Sequence, residues 1–493
     1  MSTYIGRLLK KIFSKKSHPK EKGSRPGNKS DAQRKSYSRK NESPYKVAKT
    51  IKQDVVDKQK EAMSKSLLSG SECIRTQVKD AGYEEEKELV IGFDFGTSCS
   101  KIIIQDVVIQ TCYAVPFEEI AIDKQGYFVP SHVFISDDGE FRLESSGHLL
   151  KDIKIRLMDS PGQQFDKKLS SALTAVDVTT AFIALVLQRA ITWFLGKYQD
   201  DYRNTHIIWQ LNIGLPSRSY DEKSMCETFR LVALAGWRTA VLSKSVTADC
   251  VKESIRNCQA DIHKPDNVTA PALHPECVEI IPEVIAEVIG YARSPLRNEG
   301  EHLLIDIGAS TFDVSLFTLH SPEGEDRYSI WAAEVELFGC LKLHRRRISM
   351  ANEIIDIELM KIDEFLDGMM PLPKIEDYFY KSTSGLANII REIQDKVDVP
   401  FFKKCKQFIY TVVLNTKNNI LPLSPCWKQS LPVFICGGGS YSKEYRKIIE
   451  ECDMEAYGIP RFRVIELPKP EGLNAAGLYS DNYHRMAVAY GLS

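Results

Sequence analysis

Apolar residues in this chain gather into short runs that stop at glycine and hydroxyl turns. Leu89-Val90-Ile91-Gly92-Phe93-Asp94-Phe95 is one such run; Gly96-Thr97-Ser98 follows, then Lys101-Ile102-Ile103-Ile104. Runs of this length bounded by turn residues predict a buried hairpin rather than a helix. His302 to Phe317 repeats the plan around Gly308-Ala309-Ser310-Thr311, with Asp306 and Asp313 on either side of the turn. Pro432 to Cys436 reads as a strand running into Gly437-Gly438-Gly439-Ser440 ahead of a helix. Further strands are predicted at Val129 to Ile135 and His206 to Leu215. Helical spacing marks Val176 to Tyr198 through Ala181, Leu185, Ile191, Phe194 and Leu195, and another helix through Phe229 to Ala235. Residues 341–418 are mostly helical by period, as at Ile348, Ile354, Ile355, Leu359, Ile362 and Leu366. Residues 245–275 are polar and Pro-rich and fit neither pattern.

The turns carry the candidate chemistry. Gly96 lets backbone approach a ligand closely, and Thr97 and Ser98 add hydroxyls to the turn amides, a combination that can cradle phosphate oxygens. Asp94 ends the first strand, and a carboxylate beside phosphates needs a cation between them. Mg²⁺ is the expected one, because it takes few protein carboxylates and keeps its waters. The same stretch also suits an ordinary core hairpin with a polar turn. For Lys101 the alternatives are a phosphate contact or a strand-end lysine in water. For Glu283 they are a catalytic acid or an N-terminal helix acid favoured by the macrodipole.

Together, in this order, the three turn motifs resemble the phosphate-one, phosphate-two and adenosine motifs of the actin, Hsp70 and sugar-kinase superfamily. Asp306-x-Gly308-x-x-Thr311-x-Asp313 is most similar to the Hsp70 nucleotide-binding domain. The resemblance covers roughly the last four-fifths of the chain. It implies an α/β fold of two duplicated actin-like (ribonuclease H-like) lobes around an ATP cleft, with a helical subdomain on the second lobe. The first lobe would run over 86–298, with its first connecting motif at His206 to Pro216. The second would run over 299–480, with the helical subdomain at about 341–418, and 481–493 would return to the hinge as the second connecting helix.

The site residues follow from the same resemblance. Asp94, Glu283, Asp306 and Thr311 would be catalytic, with Glu283 near the attacking water. Asp94, Asp306 and Asp313 would position Mg²⁺ mainly through water. Gly96, Thr97, Ser98, Lys101, Gly308, Ala309 and Ser310 would hold phosphate, and Gly437, Gly438, Gly439 and Ser440 would back the adenosine. Two departures stand out: Val284 replaces a family proline, and Ser310 a glycine. A gapless count puts His148 where Hsp70 places its phosphate lysine, with Lys151 and Lys154 close but out of register. Lys101, seven residues after Asp94, stands at the actin spacing and is the alternative.

Composition changes this picture little, but charge adds to it. At 493 residues, with 43% hydrophobic and 27% charged, the chain is long enough for at least two domains. No membrane span and no secretory leader is predicted. The 12 cysteines are scattered without metal or disulfide spacing, which points to a reducing, cytoplasmic setting. Cys99 and Cys436 lie inside the nucleotide turns and read as packing residues or oxidation-sensitive thiols. The net charge of -1 hides a basic arm: residues 1–60 hold about eighteen Lys/Arg against about five Asp/Glu. Residues 1–85 are read as this arm, largely disordered, with residues 47–85 as a linker. Residues 3–16 form an amphipathic pattern that suits an anionic membrane surface, an acidic partner or an idle solvated tail. Nucleic acid is disfavoured, since aromatics do not interleave with the basic residues. Arg345-Arg346-Arg347 reads as a solvated face.

The function implied is an Hsp70/actin-like ATPase that binds ATP/ADP with Mg²⁺, hydrolyses it slowly, and uses lobe closure as a switch read by a protein partner or client. No substrate-binding domain of the Hsp70 kind is expected after Ser493. The alternatives are a filament-forming actin-like ATPase, a nucleotide-binding scaffold without turnover and, third in order, a small-molecule kinase, for which no acceptor-base motif is found.

Overall fold

The computed structural model describes residues 85–493 apart from 124, 145, 167–171, 221, 266–267, 269–270, 321–326, 356–371 and 382. The basic arm, with its 3–16 pattern, therefore lies outside the described residues, as do Leu359, Ile362 and Leu366. All the described residues belong to one compact unit, Ser69–Ser321 with Asp326–Ser493.

Its architecture is mixed α/β, laid out on two mixed sheets. The first hairpin is β1 (Glu85–Asp94) and β2 (Cys99–Asp106), followed by β3 (Thr111–Ala114). β1 begins inside the stretch read as a linker. Glu85 and Glu86 pair with Thr205 and His206, so backbone hydrogen bonds rather than apolar side chains hold this end of the strand. The short strands β4 (Val129–Pro130), β5 (Val133–Ile135), β6 (Phe141–Arg142) and β7 (His148–Leu150) come next, and α1 (Ile153–Asp159) follows directly. Helix α2 (Ala175–Lys197) opens on a capping box in which Thr174 and Asp177 satisfy each other's amides. It is long and apolar enough to cross a membrane by composition, yet Val178, Phe182, Leu187 and Phe194 are buried in the core beside the sheet residues Ile91 and Phe93.

The strand β8 (Thr205–Leu215), helix α3 (Lys223–Leu242), helix α4 (Ala248–His263), strand β9 (Val278–Pro282) and helix α5 (Glu283–Ala292) complete this part. Helix α4 occupies the stretch whose pattern fitted nothing. Its signal was present but faint: Thr247 caps it, and Val251, Ser254, Ile255 and Cys258 are the buried positions at helical spacing. The sheet order is β15-β3-β2-β1-β8-β9, with β4 attached to β2 and with β15 (Leu473–Asn474) arriving from the far end of the chain.

The second sheet has the order β12-β11-β10-β13-β14. It consists of β10 (Gly300–Ile307), β11 (Phe312–His320), β12 (Arg327–Glu336), β13 (Pro432–Cys436) and β14 (Arg463–Ile465). Helices α6 (Cys340–Ile354), α7 (Leu386–Ile393) and α8 (Val399–Asn415) lie between β12 and β13, with a π-helical turn, Gln394–Asp398, joining α7 to α8. Helix α9 (Lys443–Glu450) follows the glycine turn, and α10 (Ala487–Leu492) ends the chain.

The arginine triplet is not a solvated face. Arg347 is buried and donates to both carboxylate oxygens of Asp398, at 2.8 and 2.6 Å, and to the Pro373 carbonyl at 2.7 Å. The guanidinium of Arg346 lies 5.2 Å from the Phe401 ring, and Arg345 reaches Asp152 at 3.4 Å. Helical phase separates the three neighbours onto different surroundings, and charge alone could not reveal that.

Helices α5 and α10 cross at backbone contact. A Cβ at Gly491 would stand 1.9 Å from the Ala286 carbonyl oxygen; on its other side α10 meets β1, where a Cβ at Gly92 would stand 2.3 Å from the Ala489 carbonyl oxygen. Gly491→Ala is therefore expected to force the helices apart and to cost about 1–3 kcal/mol, the usual range for overpacking. A urea midpoint unchanged from wild type would show that the crossing relaxes freely.

Candidate functional site

Asp94 closes β1 and pairs in register with Lys101 of β2, and the intervening Gly96, Thr97 and Ser98 remain half-buried. The turn is tight: a Cβ on Gly96 would fall 2.3 Å from the Cys99 carbonyl oxygen. Ser131, between β4 and β5, braces it. Its Oγ donates to the Gly96 carbonyl at 2.7 Å, and its amide donates to the Ser98 carbonyl at 2.9 Å. Lys101 Nζ donates to Asp94 Oδ2 at 2.8 Å. Burial pulls the Lys101 ammonium down, but the charge and hydrogen bond of Asp94 outweigh it and leave the pKa above its ordinary value.

The second hairpin brings Asp306 and Asp313 opposite each other, and Thr311 Oγ1 lies 3.4 Å from Asp313 Oδ2. Burial, then the nearby charge of Glu283, pushes Asp306 up to about 7, against the opposing pull of Lys101 and Lys154. Asp313 is raised well above the carboxylate range by burial and then by Asp306. Both Asp306 Oδ1 and Asp313 Oδ1 are buried with no hydrogen-bond partner in the protein. The turn Gly308-Ala309-Ser310 is anchored from behind by α6: the amides of Cys340, Leu341 and Gly339 donate to the carbonyls of Gly308, Ala309 and Ser310 at 3.1, 2.8 and 3.0 Å.

The glycine turn after β13 sits against this hairpin. Gly437 has φ +76°, and a Cβ there would lie 2.1 Å from Asp306 Oδ1 and 2.5 Å from the Ile307 carbonyl oxygen. Only glycine satisfies both demands without displacing the carboxylate. Gly438 is exposed with open space around it, while Gly439 packs on Ile307. Ser440 Oγ donates to the Gly437 carbonyl at 2.9 Å and lies 2.9 Å from His484 Nε2.

Glu283 is the first residue of α5, where β9 ends, and its Oε1 accepts from Lys154 Nζ at 2.8 Å. Lys154 is buried on α1, the helix that follows β7. His148 stands at the exposed start of β7 and pairs with Asp166 at 2.9 Å, whereas Lys154, six residues on, meets the acidic cluster. Glu287, one turn beyond Glu283, is also buried; burial and then Asp306 raise its pKa well above the usual range, and it hydrogen-bonds the Cys436 thiol. Glu283, Glu287, Asp306 and Asp313 line a cavity of about 10 Å³ between the two sheets. That is about the space one water requires. Lys154 was visible in sequence only as a lysine near the expected place and out of register, and Glu287 had no turn motif beside it to draw attention.

The donor set fits a hydrated divalent cation better than a bare one. Among the described residues no three His, Cys, Asp or Glu side chains converge as a direct metal cage. The two orphaned carboxylate oxygens of Asp306 and Asp313 do present unmet hydrogen-bond acceptors to metal-bound water.

His484 carries a pH signature. Burial first, then the charges of Arg485, Arg446 and Lys101, lower its pKa to about 4 from 6.5. The unfolded chain therefore takes up a proton between those values that the folded chain refuses, and stability is lost as pH falls from about 6.5 to about 4. His484→Gln is expected to flatten this loss, measured as the difference in urea midpoint between pH 7 and pH 5. An equal acid loss in both proteins would assign it to other groups.

No protein-family model matches this chain, and no curated protein matches it.

Proposed function

We propose that this chain is an Hsp70/actin-like ATPase that binds ATP with Mg²⁺ between two lobes and hydrolyses it slowly, lobe closure being the signal to a protein partner or client. The observation that carries the reading is that Asp94 and Asp306 occupy matching places in two sheets of matching order. In each sheet the central strand carries the aspartate at its C-terminal end, as the last residue of β1 and the last but one of β10, pairs antiparallel with the next strand, and has a parallel neighbour on its other side: β3-β2-β1-β8-β9 and β12-β11-β10-β13-β14. Such a match supports two duplicated ribonuclease H-like lobes, with α6 to α8 as the helical subdomain. The residues around Asp306 support a shared cleft, since it feels the charges of Glu283, Lys101, Asp94 and Lys154 together.

In this reading the half-buried amides and hydroxyls of Gly96-Thr97-Ser98 and Gly308-Ala309-Ser310 hold phosphate oxygens from opposite walls. Gly437-Gly438-Gly439-Ser440 backs the adenosine, with Gly438 offering the open approach. Asp306 and Asp313, with Asp94, accept hydrogen bonds from water on Mg²⁺, which when bound neutralises charge on the transferring phosphoryl group. Glu283, held by Lys154, and Thr311 orient the attacking water. Phosphoryl transfer asks little more of a protein than such positioning and charge.

A scaffold without turnover is the second reading, favoured by one contact: Lys101 already neutralises Asp94. Phosphate release from γ-labelled ATP by the purified protein, with and without Mg²⁺, separates the two. Slow Mg²⁺-dependent release supports the ATPase, and tight binding without release supports the scaffold. Failure to bind ATP at all defeats both. Pelleting that depends on ATP and on protein concentration would instead favour a filament. A cytoplasmic location, at a membrane surface if residues 1–16 bind one, belongs to the same proposal.

A further inference from the structure

Between β14 and α10 the chain leaves the second sheet, adds β15 to the edge of the first, and returns. The Gly472 carbonyl accepts from the Cys112 amide at 2.9 Å, and the Ala476 carbonyl accepts from the Tyr127 hydroxyl at 2.8 Å. Two consecutive residues near the end of this strap face different motifs. His484 meets Ser440 of the glycine turn. Arg485 turns toward the first hairpin: its guanidinium lies 3.8 Å from the centre of the Phe128 ring, and one of its nitrogens is 3.8 Å from Cys99 Sγ.

We infer that Arg485, rather than Lys101, is the cation that recognises an anionic phosphate chain at the Gly96-Thr97-Ser98 turn. The nature of that anion, a nucleoside polyphosphate, rests on the proposed function; the anion site itself does not. Three observations carry the inference. Lys101 is spent on Asp94, so that pair brings no net charge to the turn. Neighbouring His484 is held neutral at pH 7 by burial and surrounding cations. Arg485 forms no ion pair with a carboxylate among the described residues; its polar neighbours are the Cys99 thiol and the Tyr441 hydroxyl.

A guanidinium carries five N–H donors in its plane. Stacking on Phe128 covers one face and leaves the edges for hydrogen bonds, which is the geometry that suits bidentate contact with phosphate. The cation is also preorganised. Phe128 is buried, Tyr441 lies on another side with its ring centre 5.9 Å away, and the strap fixes the backbone. A fixed cation of this kind retains part of the phosphate affinity when divalent metal is removed.

Isothermal titration calorimetry in EDTA tests the inference, with ATP, adenosine and inorganic tripolyphosphate as probes of the full chain. Arg485→Gln is expected to weaken ATP and tripolyphosphate at least tenfold while adenosine stays within twofold. Arg485→Lys keeps the charge but not the planar stack, so it is expected to weaken both phosphates by a smaller factor; it also tests the idea if the Gln variant fails to fold. ATP affinity within twofold of wild type in Arg485→Gln would overturn the inference, as would an equal loss for adenosine, because that would mark Arg485 as structural. If the wild type binds tripolyphosphate through Arg485 but not ATP, the anion site stands and the ATPase reading falls. If the wild type binds ATP without any dependence on Arg485, the reverse holds. Binding of neither probe defeats both.

Discussion

Asp306→Asn is expected to reduce ATP turnover by about 10²–10⁴-fold, the usual loss for a water-orienting or general-base group, while ATP affinity stays within a few-fold. The substitution keeps the shape of the side chain against Gly437, where a closer fit would not tolerate a larger group. It takes an ionisable carboxyl out of a crowded acidic cluster, so binding of a polyphosphate is not penalised and improves if anything. It also converts the orphaned Oδ1 from a carboxylate acceptor into part of an amide. A water aligned by that oxygen then loses its strongest orienting partner. The variant should accumulate with nucleotide bound, which single-turnover phosphate release and nucleotide retention on a desalting column would show. Wild-type turnover in Asp306→Asn would remove Asp306 from the catalytic centre. A wild type that binds ATP without turning it over would leave Asp306 as a ligand for metal-bound water only.

Much of this site was legible because its turns punctuate apolar strands. Asp94, Gly96, Asp306, Gly308, Thr311 and Gly437 all sit where an apolar run stops, and strand ends are easy to locate from pattern. Their mutual approach was not legible from pattern, since it depends on two sheets meeting across a long interval of sequence. Lys154 shows the limit of counting. The lysine that meets Glu283 stands six residues beyond His148, and that contact joins residues 129 positions apart, which counting along the chain does not reach. Glu287 and Arg485 were hidden for a different reason. Each is a lone charged residue in a helical or loop context, and a charge in such a place ordinarily faces water. Helix α4 was missed because polar residues dominate it and only one narrow stripe, Val251, Ser254, Ile255 and Cys258, turns inward, itself with one hydroxyl residue in it. The arginine triplet failed oppositely: three adjacent charges looked like one feature, yet each has its own partner.

Lys154→Met is expected to destabilise the protein by about 3–5 kcal/mol, the range seen when one partner of a buried ion pair is removed. Lys154 and Glu283 side chains are only 7% and 15% exposed, so neither charge has much water to fall back on. Methionine preserves the volume and leaves the Glu283 carboxylate facing Asp306 and Asp313 with its cation gone. Desolvation, not loss of attraction, then dominates the cost, and this distinguishes the site from a surface pair worth about 0–1 kcal/mol. The double variant Lys154→Met/Glu283→Gln removes both charges and should recover a large part of the loss. Urea denaturation of the two single variants and the double variant gives the coupling directly. Additive losses would mean that the pair does not interact in solution and that Glu283 finds another partner. Recovery of stability without recovery of turnover would separate the two roles of Glu283: Lys154 would be needed only to keep its charge in place, and the carboxylate itself would be needed to orient the attacking water.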